Sequence, residues 1–562
     1  MIRVANRAFW ILLATLIVSS YGASLVQTSF GQVDVQSVKF PMQNGQWLVG
    51  DLFRPISATS ENPAPLVIVV PGFQRSKEAL SNIAIELARR DIVAISIDPY
   101  AQGGSSASMS RRAATTEGYG MFAVVEYAAD TPNLNYIDKS RIGATGHSAG
   151  GNAAIRGASY FGREAQRTGR PSKLHSVFVS GYVLTLTEDV LNDVRSNVGM
   201  SYAFYDEGAY RNELGNADMR AAPEALRLVN IGRDRSLPPV EEVELGKYYG
   251  DVAARKLLGL ISLIVSLVML VPLARVLLQI PYFGSLVHPV PPPLPASNGR
   301  GRILFWTLFA TGALIACVSY IPMAELSEVL FVKASTRVQT WFFPQRMNNA
   351  VMMWAVLNGL AGYLMFWLAY RFHGRQHGVV PAMWGTQVTR NELVRTVFLG
   401  LLLYAAYYVL LFAMYFFFHV DYRFLFMGVR IFRAEELWLL LMYAPFFFVF
   451  FLSNSLRVNG SLRVAGQPEW RSMLIAGLGN SLGLLLIVVV QYVTFWTTGT
   501  VYWTDGWLYI NLLFAVVPMM FVLPYFNRYF FHLTGRIYLG PIVTCLVFIM
   551  ILLTNTVVYI PL

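Results

Sequence analysis

Hydrophobic and polar positions fall into two regimes along the chain. Before about residue 255 the apolar runs are short and separated by polar turns. "PLVIVVPG" (65–72) and "DIVAISIDP" (91–99) are unbroken apolar stretches closed by Gly, Pro and Asp. Runs of that length and closure predict strands buried on both faces. Between them "SKEALSNIAIELARR" repeats its apolar residues at helical spacing, and "GYGMFAVVEYAAD" does so again further on. "RIGATG" and "LHSVFVSGYV" read as further strands. Strands alternating with helices predict a doubly wound, mostly parallel sheet.

From Leu257 onward the pattern changes. Eight apolar stretches lie at about 257–275, 303–324, 349–370, 396–419, 437–454, 473–494, 507–525 and 540–560. Each is long enough to cross a bilayer as a helix. "HPVPPPLPASNGRGR" between the first two reads as a proline-rich linker rather than a folded element. At the start, Arg3 and Arg7 precede "AFWILLATLIV", which is either a signal peptide or an N-terminal anchor. Either way, the segment after it lies outside the cytoplasm. The expected divisions are a leader or anchor at 1–26, an extracytoplasmic α/β domain at 27–255 and an all-α polytopic domain of about eight helices at 256–562.

Composition agrees with a multi-pass protein: 55% of the 562 residues are hydrophobic. The net charge of +11 raises the question of a nucleic-acid partner, and its distribution answers it. Residues 30–255 hold 23 basic and 25 acidic side chains, so the basic excess lies between the apolar stretches. That is how topology-setting loops are built, not a nucleic-acid surface. With the α/β domain outside, fourteen basic residues fall on the inner side of the bilayer and seven in the outer loops. A bacterial cell membrane is the expected location. The two cysteines, Cys317 and Cys545, lie in apolar runs, and no Cys/His spacing suggests zinc. No metal or cofactor is expected. The spans carry almost none of the ionisable side chains that ion-coupled transport requires. "GLGNSLG" (477–483) reads as a helix–helix packing face or, second, as a break in a helix. The expected partners are the bilayer, a lipid or ester substrate, and other membrane proteins.

Chemistry concentrates at "RIGATGHSAGG", residues 141–151, which holds a G-x-S-x-G pattern at Ser148. A strand precedes it and a helix comes after, the setting in which glycines allow a turn that lifts a serine hydroxyl above a sheet edge. With "VVPGF" (69–73), "SIDPYAQGGSS" (96–106) and "NVGMSYAFYDEGA" (197–209), this region resembles the α/β-hydrolase family, particularly its dienelactone-hydrolase-like and peptidase-like members. The resemblance covers about residues 35–255. It implies Ser148 as nucleophile, the backbone N–H groups of Phe73 and Ala149 as oxyanion donors, and Asp206, with Glu207 beside it, as the orienting acid. The family's histidine belongs after the last strand, where this chain already enters "LLGLISLIVSL".

By position only His419 of the seven histidines remains for the missing base. A non-histidine base, or His147 displaced into the role from a side chain that normally points away, are the other ways to activate Ser148. His147 adjoins the nucleophile. His419 closes an apolar stretch at the outer face and would give a composite site if the strand ends face the bilayer. Two functions are consistent with these residues: a membrane-bound serine hydrolase or acyltransferase acting on an ester or lipid, or a degenerate hydrolase fold serving as a binding or assembly module.

Overall fold

The computed structural model describes residues 2–42, 45–110, 116–181, 188–201, 245–424 and 427–561. Helix α1 (Ile2–Gln27) leads into a sheet of β1 (Val33–Pro41), β2 (Trp47–Pro55), β3 (Ala64–Val70), β4 (Val93–Ile97), β5 (Ile137–His147), β6 (Ser176–Ser180) and β7 (Asn197–Ser201). The strand order is β1-β2-β4-β3-β5-β6-β7. β1 and β2 are antiparallel to their neighbours, and the other pairings are parallel. This is the α/β-hydrolase fold. Helices α2 (Ser81–Ala88), α3 (Met121–Asp130) and α4 (Ala149–Thr168) cover the sheet.

The expected strands form because both of their faces are covered. Leu66, Ile68 and Val70 of β3 join Ile95, Phe122, Ala154 and Phe161 in one core. Val69 of the same strand joins Phe53, Ile85 and Ala94 in the other. Each such burial stabilises by about 1.5–3 kcal/mol. The hairpin β1–β2 is an addition to the sequence expectation.

The second half is helical: α5 (Leu245–Leu277), α6 (Gly299–Val318), α7 (Arg346–Phe372), α8 (Arg390–Phe418), α9 (Glu436–Gly460), α10 (Glu469–Thr498), α11 (Trp507–Thr534) and α12 (Leu539–Thr554). Among the described residues eight helices, α1 and α5 to α11, are long and apolar enough to cross a membrane. The last expected stretch, 540–560, differs. Its helix α12 has 16 residues, about 24 Å against the ~30 Å of a bilayer core, and it is buried along its whole length. The chain then leaves the bundle, and the Val558 N–H donates to the Ala101 carbonyl at 2.7 Å. The proline-rich linker is also more ordered than expected. Leu294 bridges to Val464, and the Arg463 guanidinium donates to the Pro291 carbonyl at 2.6 Å.

The two halves pack through the carboxyl ends of the strands. The segments after β3 and β4 supply Phe73, Ala101 and Ala107, which cluster with Val557 and Tyr559 beyond α12. Helix α1 lies along α5, with Ser19 Oγ 2.8 Å from Ser262 Oγ.

Candidate active site

Strand β5 ends at His147 and α4 begins at Ala149, so Ser148 alone makes the turn. Its backbone sits at φ 55°, ψ −118°. That conformation costs a non-glycine residue about 1–3 kcal/mol and persists only where the surroundings enforce it. Here they do. A Cβ on Gly146 would run into the Gly150 backbone, and one on Gly150 into the Val70 carbonyl. The helix start is therefore pressed onto the ends of β3 and β5, and only glycine fits at either place. The Ser148 N–H donates to the Ser180 carbonyl at 3.0 Å, tying the turn to β6.

The loop after β3 lies against this elbow. A Cβ on Gly72 would stand 3.2 Å from His147 Nδ1 and 3.3 Å from Ser148 Cβ. Gly72 thus lets the loop pass with Phe73 directly after it. Three expected residues, Phe73, Ser148 and Ala149, come together at one junction. The Phe73 ring is covered by the Arg337 guanidinium, 5.2 Å from its centroid. Asp206 and Glu207 lie outside the described residues.

His419 does reach the hydrolase-fold domain, but not Ser148. It ends α8 at φ 55°, with Nε2 3.1 Å from Ser37 Oγ and 3.4 Å from Asp51 Oδ1. Asp51 belongs to β2, and β4 and β3 separate that strand from β5. At ~4.8 Å per strand the sheet alone puts about 14 Å between them. The composite site expected from the sequence is therefore not assembled by this histidine. The physical reason is that α8 ends beneath the β1–β2 edge. His175 precedes β6, at the other end of the sheet. His288 pairs with Glu392 at 2.8 Å, His373 stacks on His377 at 3.9 Å, and His532 lies 3.7 Å from Glu469, all at the far end of the helices. Among the described residues His147 is the histidine beside the elbow.

His147 and Gly72 line a cavity of about 340 Å³. Its other walls come from both halves of the chain and include Arg75, Arg255, Lys256 and Arg423, against two acids, Glu78 and Asp421. Burial first, and the nearby Arg423 second, push the Arg75 guanidinium down to about 10.

Beside this cavity lies an ionic cluster that sequence reasoning missed. Lys77 Nζ is 2.8 Å from Asp51 Oδ2 and 3.1 Å from Glu78 Oε1, and all three side chains are under 10% exposed. Burial is the largest single effect on the Asp51 carboxyl and pushes it up, but the Lys77 ammonium and His419 together hold the group below its ordinary value. Glu78 is held down in the same way, with Arg430 and Arg423 adding to Lys77. Lys77 is in turn held well above its ordinary value: burial, the largest single effect, opposes, and Asp51, Glu78 and their neighbours together prevail. Arg423 joins from the helical half, donating to Ser76 Oγ at 3.3 Å and Asp421 Oδ2 at 2.9 Å. Asp98, at the end of β4, accepts from the Lys77 and Gly104 backbone N–H groups at 2.7 and 2.8 Å. Burial and the neighbouring Glu78 raise it to about 6. "SKE" was legible only as the start of a helical pattern, and Lys77 is in fact in a 3₁₀ turn before α2.

Residues 20–220 match a family model described as PETase, PET hydrolase-like. Three solved structures are similar at low identity. The α/β hydrolase GrgF from Penicillium sp. sh18 is 20% identical, with 26% of this chain and 46% of that chain covered and a TM-score of 0.21. A hyperthermophilic esterase from the archaeon Pyrobaculum calidifontis is 19% identical, with 31% and 53% covered and a TM-score of 0.21. A bacterial heroin esterase is 19% identical, with 41% and 63% covered and a TM-score of 0.24. The chain thus spans about half to just under two thirds of these structures' own lengths. Comparison with curated proteins finds no match.

Proposed function

We propose that this chain is a multi-pass membrane serine hydrolase that cleaves an ester bearing negative charge, at the seam between its hydrolase-fold domain and its helices. The observation that carries the proposal is the strained, glycine-boxed elbow at Ser148, beside a cation-lined cavity that both halves build. The esterase-like fold supports the reaction class. The helices support the setting: Trp306, Leu314, Val409, Phe416 and Phe417 are half or more exposed, or close to it, on stretches long enough to span. The asymmetry of basic residues supports an extracytoplasmic hydrolase domain.

In the proposed reaction Ser148 Oγ attacks the ester carbonyl and its proton passes to His147. The Phe73 and Ala149 N–H groups hold the oxyanion. The alcohol leaves with the proton from His147, and water then releases the acid from the acyl-enzyme by the same path. An alcohol in place of water gives acyl transfer. Asp206 retains the orienting role that the resemblance assigns it. Arg75 and Arg255 bind the substrate's anionic group.

A second reading, the degenerate fold used for binding or assembly, is favoured by one observation: His419 is engaged by Ser37 and Asp51, away from Ser148. Labelling of the purified full chain by a fluorophosphonate separates the two. Strong labelling lost in Ser148→Ala and cut at least tenfold in His147→Gln is expected. Absence of labelling in folded wild type would favour the binding module. Labelling that survives His147→Gln but not His419→Gln would return the base to the helical domain.

A further inference from the structure

At the end of the helical domain remote from the hydrolase fold lies a second cavity, of about 210 Å³. A single water needs only ~10–15 Å³ of such space. Helices α6, α7, α9 and α10 wall it, and the linker residues Leu294 and Pro295 close it. One side is apolar, built on Leu304, Phe305, Leu308, Phe309, Met365 and Phe366. No acidic side chain lines it among the described residues.

One arginine enters this space, and His373 and His377 also line it. Arg457, from α9, lines the cavity, and its Nε is buried with no hydrogen-bond partner. Among the described residues its guanidinium makes no hydrogen bond and no ion pair. The position is built for it. A Cβ on Gly362 of α7 would stand 3.1 Å from Arg457 Nε, so glycine there leaves the side chain its path. The adjacent arginines are unlike it. Arg463 donates to the carbonyls of Asn459 and Pro291 at 2.8 and 2.6 Å. Arg528 holds both Glu469 oxygens at 2.8 Å. The lining amides of Asn454 and Asn480 are paired with each other at 2.6 Å. Arg457 is thus a half-buried guanidinium whose Nε is buried and unbonded, at the edge of a groove lined by aliphatic and aromatic side chains.

From this geometry we infer a site for an anionic, phosphate-bearing lipid: headgroup phosphate on Arg457, and chain along Leu304, Leu308 and Phe309. A guanidinium matches a phosphate through paired N–H···O bonds. Helices that cross a bilayer bring the groove to lipid rather than to water. The inference rests on the membrane-inserted reading of these helices and is independent of catalysis at Ser148.

The test uses the full chain in detergent and three probes: dihexanoyl phosphatidylglycerol, dihexanoyl phosphatidylcholine and inorganic phosphate. Binding is measured by titration calorimetry. Phosphatidylglycerol is expected to bind wild type at least tenfold more tightly than either other probe. Arg457→Gln and, separately, Leu308→Trp, which fills the groove, each weaken it at least tenfold, while Arg457→Lys retains part of it. Unchanged affinity in Arg457→Gln overturns the site. If that variant does not fold, unchanged affinity in Leu308→Trp overturns it instead. Inorganic phosphate binding as tightly as the lipid removes the lipid and leaves a free-anion site. The same cells are fractionated and carbonate-washed. A chain absent from the membrane pellet fails the membrane reading itself, whereas a chain present there with unchanged Arg457→Gln binding fails this site alone.

Discussion

Buried charge is treated in opposite ways at the two ends of the helical domain. At the seam with the hydrolase fold, Lys77, Asp51, Glu78 and Arg423 lie under or near 10% exposed and are paired with one another. At the far end the half-buried Arg457 has its Nε buried beside a cavity without an acceptor. A charge removed from water must be matched, or it is held at a cost of several kcal/mol. The Lys77 cluster satisfies most of that demand within the chain, and so its charges are structural. The far end leaves it open, and the matching group has to come from outside. The difference separates a docking cluster from a binding site without appeal to sequence motifs.

The contrast is broken most forcefully at the seam. Lys77→Met leaves the Asp51 and Glu78 carboxylates buried without their ammonium. Losing one partner of a buried pair costs about 3–5 kcal/mol. A thermal or denaturant midpoint measured on the full chain should fall accordingly, and a drop under ~1 kcal/mol would mean that the cluster is not what holds the halves together. Acid gives a second reading of the same cluster. Asp51 and Glu78 are held below their ordinary values, so their contribution is complete above the ordinary carboxylate range. It is lost as pH falls below about 4, where the unfolded chain takes up protons first. Wild type should therefore lose stability below that pH more steeply than Lys77→Met, in which only His419, Arg430 and Arg423 still hold the carboxylates down.

His419→Gln probes the seam at smaller scale. It removes the contacts to Ser37 and Asp51 from a side chain 23% exposed. About 1 kcal/mol of stability is the expected loss, the worth of an ordinary hydrogen bond. Fluorophosphonate labelling of Ser148 should be unchanged, since α8 delivers this histidine to the wrong edge of the sheet for catalysis.

Legibility in the sequence tracked the range of each interaction. β3 and β4 were readable because both faces are buried, which writes a continuous apolar run. The elbow was readable because the spacing of Gly146, Ser148 and Gly150 is local, even though the Val70 carbonyl that demands glycine at 150 comes from a distant strand. The β1–β2 hairpin was not. "VDVQSVKFP" is mostly exposed or half-exposed in β1, so its alternation is weak, and the Asn44-Gly45 turn dipeptide that follows it was not read as joining it to the next strand. The stretch 540–560 read as a full span by apolarity, yet Val557 and Tyr559 are apolar because they pack on Phe73 and Ala101, not because they face lipid. The ion cluster had no sequence signal at all: Asp51, Lys77 and Arg423 come from distant segments, and only folding places them together. Arg457 looked like one more inner-side basic residue, because the glycine that makes room for it is on another helix.

The smallest expected effect is the most diagnostic. Without ligand, Arg457→Met should leave the midpoint unchanged or raise it by up to ~1 kcal/mol, since it deletes an unmatched half-buried charge and keeps an apolar side chain of similar length. With dihexanoyl phosphatidylglycerol at a hundred times its Kd, wild type should gain about 2.7 kcal/mol by mass action and the variant almost none. The two ends of the domain would then differ in sign as well as size, Lys77 stabilising in the empty protein and Arg457 only in the loaded one. A loss of about 3 kcal/mol or more in unliganded Arg457→Met, the cost of breaking a matched buried pair, would place this arginine with Lys77 and end the distinction on which the lipid site stands.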